Sequence, residues 1–413
     1  MNGNNSNNYN NNEKEEIRFD ENDFSNPYSD ISPRETGHYA NQNSAGQGGN
    51  PYNNFYRENH RSEPHREYGN PYSRGGNNYN TTTLLEDEEK AKQHFSRIGK
   101  GYALFSVITL LVSTVIAVVV SFVNPDFYNT TLFLNLLTPL SLYVFALPVL
   151  LIVLSKCEAK APEKRKMRFG EWMLFLIASF GFMYIGSFIG NAVMDYLSQV
   201  MGYDYGNSLE SIVDNENILI TAFFTVIVAP IGEEFVFRKL IIDRTQKYGP
   251  LLSIGLSGLM FGLMHGNFYQ FFYCFALGIV LGYVYYTTGK LYLTIALHAV
   301  INLVGGVLTT LLAPISDALL TLDLEDPEAI ISFASENILG VIALAVFTLF
   351  IYASIACAII FPLAFKNKLK ERLHGAQIPI QKGKVFPIAI MNGGMIAMFV
   401  IYFLEFGLNL LPI

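Results

Sequence analysis

The fold is decided by residues 248–289, which read YGPLLSIGLSGLMFGLMHGNFYQFFYCFALGIVLGYVYYTTG. This stretch lies between Lys247 and Lys290 and contains no Asp, Glu, Lys or Arg. A helix needs about 20 apolar residues to cross the hydrocarbon core of a bilayer. The stretch therefore predicts two membrane helices, joined as a hairpin at the short Gly266-Asn267 link.

The composition of the whole chain agrees with a membrane protein. Of its 413 residues, 51% are hydrophobic and only 15% are charged, and the mean hydropathy is +0.27. Soluble domains usually carry about 25% charged residues. We expect an all-α polytopic membrane protein, a bundle of about nine transmembrane helices. The candidate segments, numbered one to nine in chain order, are Tyr102–Val123, Phe133–Leu154, Trp172–Met194, Ile218–Lys239, Pro250–Gly266, Phe268–Thr288, Leu291–Ala313, Ile338–Phe365 and Val385–Leu404.

The N-terminal region differs from the rest of the chain. Residues 1–80 are rich in Asn, Gly, Ser and Tyr and contain no Leu or Val. Such a segment buries too little apolar surface to offset its ordering entropy, so we predict a disordered tail. The charged stretch Leu84–Lys100 predicts a surface helix that leads into the membrane. We therefore divide the chain into a tail of residues 1–97 and a transmembrane domain of residues 98–413.

Lys and Arg in short loops predict the orientation of the bundle. The links after segments two and eight are basic, whereas residues 195–216 and 313–337 contain acids but no Lys or Arg. We predict a multi-pass protein of the cell membrane with both basic loops and the N-terminal tail in the cytoplasm.

Two further classes of protein are excluded. The net charge of −7 is spread along the chain and no basic stripe suggests a nucleic-acid partner. The cysteines Cys157, Cys274 and Cys357 are odd in number and far apart, which excludes a disulfide framework and matches no zinc motif.

Segment four carries three charged residues in an apolar surround, which by default indicates a functional site in a membrane. Glu234 and Arg238 are four residues apart with the acid first, the favoured order for a helical ion pair. Glu233 points about 100° away around the helix, has no intrahelical partner, and suits a general base. The alternative is a cytoplasmic helix end at which Arg238 reaches the membrane surface.

Two further pairs repeat the four-residue spacing. His298 and Asn302 face the same way on segment seven, and each can donate a hydrogen bond to one oxygen, as an oxyanion hole requires. Phe261 and His265 follow the same pattern on segment five. The alternative for these polar residues is an ordinary interhelical hydrogen bond.

The ordered set of Glu-Glu-x-x-x-Arg, Phe-x-x-x-His and His-x-x-x-Asn resembles the CAAX prenyl endopeptidases and bacteriocin-processing enzymes, also called CPBP or Abi proteins. The resemblance covers about residues 172–313. It implies a CAAX prenyl protease 2-like intramembrane endopeptidase that acts on a membrane-associated or lipid-modified peptide or protein. It also implies that Glu233 and His265 activate water, that His298 and Asn302 stabilise the oxyanion, and that Glu234, Arg238 and Phe261 support them.

The sequence allows two mechanisms, one without a metal and one with a bound divalent metal. The absence of His-Glu-x-x-His and the poor affinity of Asn for zinc favour a metal-independent glutamate mechanism, whereas a divalent metal such as zinc would be held by Glu233, His265 and His298.

The competing functions are a transporter or channel with a buried ion path, and a catalytically silent scaffold or immunity protein. Helix lengths leave the relative depth of His265 and Glu233 open. They meet only if segment four continues past Arg238 or segment five begins in the cytosol.

Overall fold

The structure is a computed structural model that describes residues 81–203, 205, 217–373, 375–378, 380–381 and 383–411. The predicted disorder of residues 1–80 lies outside these residues. The described residues form helices and contain no strand, as the composition predicted.

Nine long helices account for the bundle, and each corresponds to one of the predicted segments. They are α1 (Thr81–Val123), α2 (Thr131–Leu154), α3 (Phe169–Met201), α4 (Ile218–Tyr248), α5 (Pro250–Leu263), α6 (Phe268–Thr288), α7 (Leu291–Leu320), α8 (Ile338–Ala364) and α9 (Gly393–Leu408). Shorter helices cover Pro125–Tyr128, Pro327–Glu336, Lys366–Glu371 and Val385–Ala389.

The count of nine membrane crossings is not confirmed. Among the described residues, seven helices are long and apolar enough to cross a membrane, and α5 and α9 are not among them. These two helices have 14 and 16 residues, which at 1.5 Å per residue gives about 21 and 24 Å. Both are shorter than a hydrocarbon core of about 30 Å.

Helix α9 begins later than the sequence predicted, at Gly393 rather than at Val385. The side chain of Asn392 accepts a hydrogen bond from the backbone N–H of Met395 and caps the new helix. Gly394 lies so close to the carbonyl of Ser96 that a Cβ there would overlap it. The break at residues 390–392 thus brings the start of α9 against α1.

Helix α4 is longer than predicted and runs ten residues beyond Arg238. Its polar residues in this extension are paired within the protein. Lys239 Nζ lies 2.9 Å from Asp243 Oδ2, and Tyr285 donates a 2.7 Å hydrogen bond to Asp243 Oδ1. Arg244 donates to the backbone carbonyls of Leu154 and Leu240. The helix therefore continues through a stretch whose charges looked like its end.

Glycines set the closest helix contacts. A Cβ on Gly186 would come within 2.5 Å of the Tyr273 backbone, and a Cβ on Gly190 within 2.6 Å of the Phe268 carbonyl. These two residues form a Gly-x-x-x-Gly pair on α3, the pattern that lets membrane helices approach closely. On the other side of α6, a Cβ on Gly278 would meet the α-carbon of Gly258 on α5. Helix α6 is therefore held tightly between α3 and α5.

The interior has two main apolar clusters. One joins α1, α2, α4, α5 and α9, and the other joins α3, α6, α7 and α8. Large apolar side chains also cover the outer face, for example Phe122, Leu251 and Leu339, each about four-fifths exposed. An apolar exterior of this kind suits a lipid environment. The polar residues of α4 and α7 meet inside the bundle.

Candidate active site

Glu234 is the central acid of the buried polar cluster. Its Oε2 lies 3.1 Å from Arg238 Nε, and its Oε1 lies 3.0 Å from His298 Nδ1 on α7. Glu234 and Arg238 are completely buried, and His298 is nearly so. Arg238 thus does not reach a membrane surface, and the alternative of a charged helix end does not describe it.

The Glu234–His298 contact fixes the tautomer of the histidine. A carboxylate paired with a guanidinium is an acceptor, so the imidazole donates from Nδ1. The neutral ring then carries its lone pair on Nε2, and the protonated ring donates from Nε2. This arrangement resembles the acid that orients and stabilises a histidine in other hydrolases.

Glu233 occupies a more open position than its neighbour. Its side chain is 16% exposed, whereas those of Glu234 and Arg238 are fully buried. Glu233 Oε2 lies 3.7 Å from His298 Nε2, slightly beyond hydrogen-bond length. Of the two acids, Glu233 is therefore the one that water can reach.

Phe261 packs against three of the polar residues. The Arg238 guanidinium lies over its ring, with Cζ 4.4 Å from the ring centroid. The rings of His265 and His298 meet Phe261 edge-on, with centroids 5.1 and 5.7 Å away. The stacking matters because Arg238 makes an ion pair without a well-aligned hydrogen bond. None of its guanidinium nitrogens has an acceptor among the described residues. Phe261 thus stabilises the buried cation through its ring face.

His265 lies apart from Glu233. Its Nδ1 contacts the carbonyl of Phe261 at 2.9 Å, and its Nε2 lies 3.4 Å from Cys274 Sγ on α6. Among the described residues, it has no hydrogen bond with Glu233 or His298. The structure brings Glu233, Glu234 and His298 together and leaves His265 one aromatic ring away.

Asn302 is engaged with the backbone of α4. Its Nδ2 donates a 2.8 Å hydrogen bond to the carbonyl of Thr225. This is the interhelical bond weighed as the alternative to an oxyanion donor. One amide hydrogen remains for a substrate, since the NH₂ group has two.

The described residues do not converge as a metal site. No group of three His, Cys, Asp or Glu side chains among them is placed to hold an ion. His298 Nδ1 contacts Glu234 and His265 Nδ1 contacts a backbone carbonyl, while His265 Nε2 faces a thiol. Glu233, His265 and His298 thus do not form the zinc set that the sequence left open.

Four π-helical segments adjoin this site, and they are the only ones in the described part of the chain. Glu234 and Arg238 lie in Glu234–Lys239, and Thr225 in Phe223–Val228. Leu303–Leu308 begins immediately after Asn302. Leu140–Ala146 on α2 carries Tyr143, whose ring lies against Gly232. Such segments are rare and occur frequently at functional sites. Sequence reasoning missed Tyr143 and Cys274, because neither belongs to a polar motif.

Comparison with protein families gave a match to the segment that contains these residues. Residues 215–304 match the family described as type II CAAX prenyl endopeptidase Rce1-like. The matched segment is similar to that family. The match contains Glu233, Glu234, Arg238, Phe261, His265, His298 and Asn302. Together with the long apolar helices, this similarity indicates an integral membrane protein. Comparisons with curated proteins and with solved structures gave no match.

Proposed function

We propose that the protein is an intramembrane endopeptidase in which Glu233 is the general base. The observation that supports this best is the contrast between two adjacent acids within the matched segment. Glu234 is fully buried between Arg238 and His298, whereas Glu233 is partly accessible and faces His298 Nε2. A carboxylate with an accessible oxygen and no salt bridge to Arg238 can accept a proton from water.

His298 and Asn302 would stabilise the oxyanion of the tetrahedral intermediate. With Glu234 holding Nδ1, a protonated His298 donates from Nε2 into the space beside Glu233. The second hydrogen of the Asn302 amide, four residues further along α7, would be the other donor. Glu233, whose Oε2 lies 3.7 Å from His298 Nε2, would then pass the proton that it took from water to the leaving amine.

His265 would assist Glu233 only if its side chain adopted another conformation or a bound water linked the two residues. It contacts Phe261 and Cys274 in the structure, and reaching Glu233 requires a new rotamer or a bound water. Hydrogen bonds of catalytic groups are often long without substrate and shorten in the complex.

The substrate would be a peptide or protein held at the membrane. Glu233 lies inside a bundle of apolar helices whose outer face is also apolar. A peptide bond reaches such a site most readily when lipid anchors its chain in the bilayer.

The test uses detergent-purified full-length protein and an internally quenched peptide that contains a farnesylated cysteine. We expect cleavage by the wild-type protein and none by Glu233→Gln at equal concentration. Glu171→Gln is the matched control, because Glu171 is a buried acid paired with Arg372, remote from the site. Cleavage that Glu233→Gln leaves unchanged would contradict the proposal. So would the absence of cleavage of both the farnesylated peptide and its unmodified form.

A further inference from the structure

Tyr143 enters the site from a helix outside the family match. It lies on the π-helical segment Leu140–Ala146 of α2, directly after Pro139. Its ring lies against the α-carbon of Gly232, so closely that a Cβ there would overlap both Cζ and the hydroxyl oxygen. Since Gly232 directly precedes Glu233, the phenol lies against the backbone next to the proposed base.

The hydroxyl of Tyr143 is a donor without an acceptor. Two other tyrosines of the bundle donate at normal lengths, Tyr285 to Asp243 at 2.7 Å and Tyr283 to the Leu369 carbonyl at 2.9 Å, whereas the hydroxyls of Tyr184 and Tyr402 lack a partner among the described residues. The Tyr143 side chain is half-buried, and no group among the described residues accepts from it. Its position beside the site points to a partner that arrives with water or substrate.

Glu233 directly follows the glycine that the Tyr143 ring contacts, so its carboxylate is the acceptor next to that contact in the chain. We propose that the Tyr143 hydroxyl donates a hydrogen bond to the Glu233 carboxylate, directly or through one bound water, and thereby positions the base. This inference rests on the proposed function of Glu233. A donor at this point stabilises the ionised carboxylate, which is the form that accepts a proton.

The other groups around Glu233 are already engaged. Its own helix contributes Glu234 and Arg238, which pair with each other. From α7, His298 is held by Glu234. From α6, Cys274 contacts His265, and Tyr273 contacts Cys274. Tyr143 is thus the neutral donor near Glu233 whose hydrogen bond is still to be made.

Infrared titration of the full-length protein tests the contact without requiring catalysis. The protonated carboxyl band of Glu233 is the one that Glu233→Gln removes. In Tyr143→Phe the ionised form loses its donor, so we expect the midpoint of this band to rise by about one pH unit. Gly232→Ala displaces the ring and should raise the midpoint in the same direction. Tyr184→Phe is the control, because its hydroxyl on α3 is buried and also lacks a partner.

Turnover of the farnesylated peptide gives a second readout. We expect kcat of Tyr143→Phe to fall about tenfold, with KM little changed and the acidic limb of the pH profile moved to higher pH. An equal midpoint in the wild type and Tyr143→Phe, or an equal shift in Tyr184→Phe, would overturn the inference. If no protein cleaves peptide, the proposed function fails while the infrared titration still decides the Tyr143 contact. If cleavage depends on Glu233 and the midpoint does not move, only the inference about Tyr143 fails.

Discussion

His298 Nδ1 lies 3.0 Å from Glu234, whereas the adjacent Glu233 is nearest to Nε2 of the same ring, so each acid contacts a different nitrogen of His298. Glu234 holds the ring from one nitrogen, and Glu233 faces the other. The sequence predicted Glu234 as the partner of Arg238 alone. Its second oxygen gives it a further role, because the same carboxylate orients His298.

Replacing Glu234 by Gln should therefore reduce both stability and turnover. The change leaves Arg238 buried without its counter-charge, which costs on the order of 3 kcal/mol. It also weakens the hydrogen bond that orients His298, so turnover should fall at least about tenfold. Thermal unfolding and peptide cleavage by the same preparation measure the two effects. A variant with normal turnover would show that the His298 contact is only structural.

Replacing Glu233 by Gln should have a different signature. The amide keeps the shape of the side chain but cannot accept a proton, so turnover should fall by about 10²-fold or more. The unfolding temperature should change little, because Glu233 has no salt bridge to Arg238. Glu171→Gln should show the reverse, with a lower unfolding temperature and normal turnover per folded molecule, since it breaks the ion pair with Arg372. Unfolding of Glu233→Gln together with a stable, inactive Glu234→Gln would mean that the roles are exchanged.

Adding a methyl group at Gly186 should destabilise the packing of α3 on α6. The new Cβ would meet the Tyr273 backbone at 2.5 Å, and a helix backbone cannot move aside alone. Overpacking of this kind costs about 1–3 kcal/mol. Gly255→Ala is the control, since no atom lies within 4 Å of the Cβ it would add. We expect a lower unfolding temperature for Gly186→Ala only, and equal values for both variants would contradict this packing.

Reporter fusions test the predicted orientation. The structure places both basic links at one end of the bundle, since Lys160 donates from its backbone to Asp243 and Ile378 donates to the Lys247 carbonyl. Reporters at Lys164 and Lys368 should therefore indicate the same side, which the positive charges predict to be the cytoplasm. A reporter at Asp326 should indicate the opposite side. Agreement of all three would show that the number of crossings is wrong.

Deletion of residues 1–80 tests the predicted role of the tail. A polar, low-complexity segment makes few contacts with a folded domain, so the shortened protein should insert and cleave peptide normally. Turnover and the unfolding temperature of the purified protein are the measurements. Normal insertion with lost turnover would show that the tail takes part in activity.

The polar residues of the site were predictable because charge in an apolar helix is rare. Glu233, Glu234, Arg238, His265 and His298 are recognisable by that criterion alone. Tyr143 was not, because a tyrosine in an apolar segment usually serves packing. The only sign of its position is Gly232, whose missing side chain makes room for the phenol.

The relative depth of the helices in the membrane could not be predicted from the sequence either. Lys239, Asp243 and Arg244 looked like the end of a membrane helix, yet they pair inside the protein and α4 continues. Ser257 on α5 donates to the Phe237 carbonyl on α4, so these two residues lie at the same height along the bundle. From there Glu233 lies four residues and His265 eight residues toward the other end, or about 6 and 12 Å. This offset accounts for the separation of His265 from Glu233, and hydropathy does not encode it.

The four π-helical segments have a consequence for insertions and deletions. A π turn closes its hydrogen bond over one residue more than an α turn, so each segment is equivalent to a single-residue insertion. Removing Lys239, which is not part of the apolar core, would restore the α pattern in Glu234–Lys239. The parts of α4 on either side would keep their faces, because the residue removed is the one that the wider turn accommodates. Insertion into the membrane would survive such a deletion, while the turn that sets Glu234 against Arg238 and His298 would change.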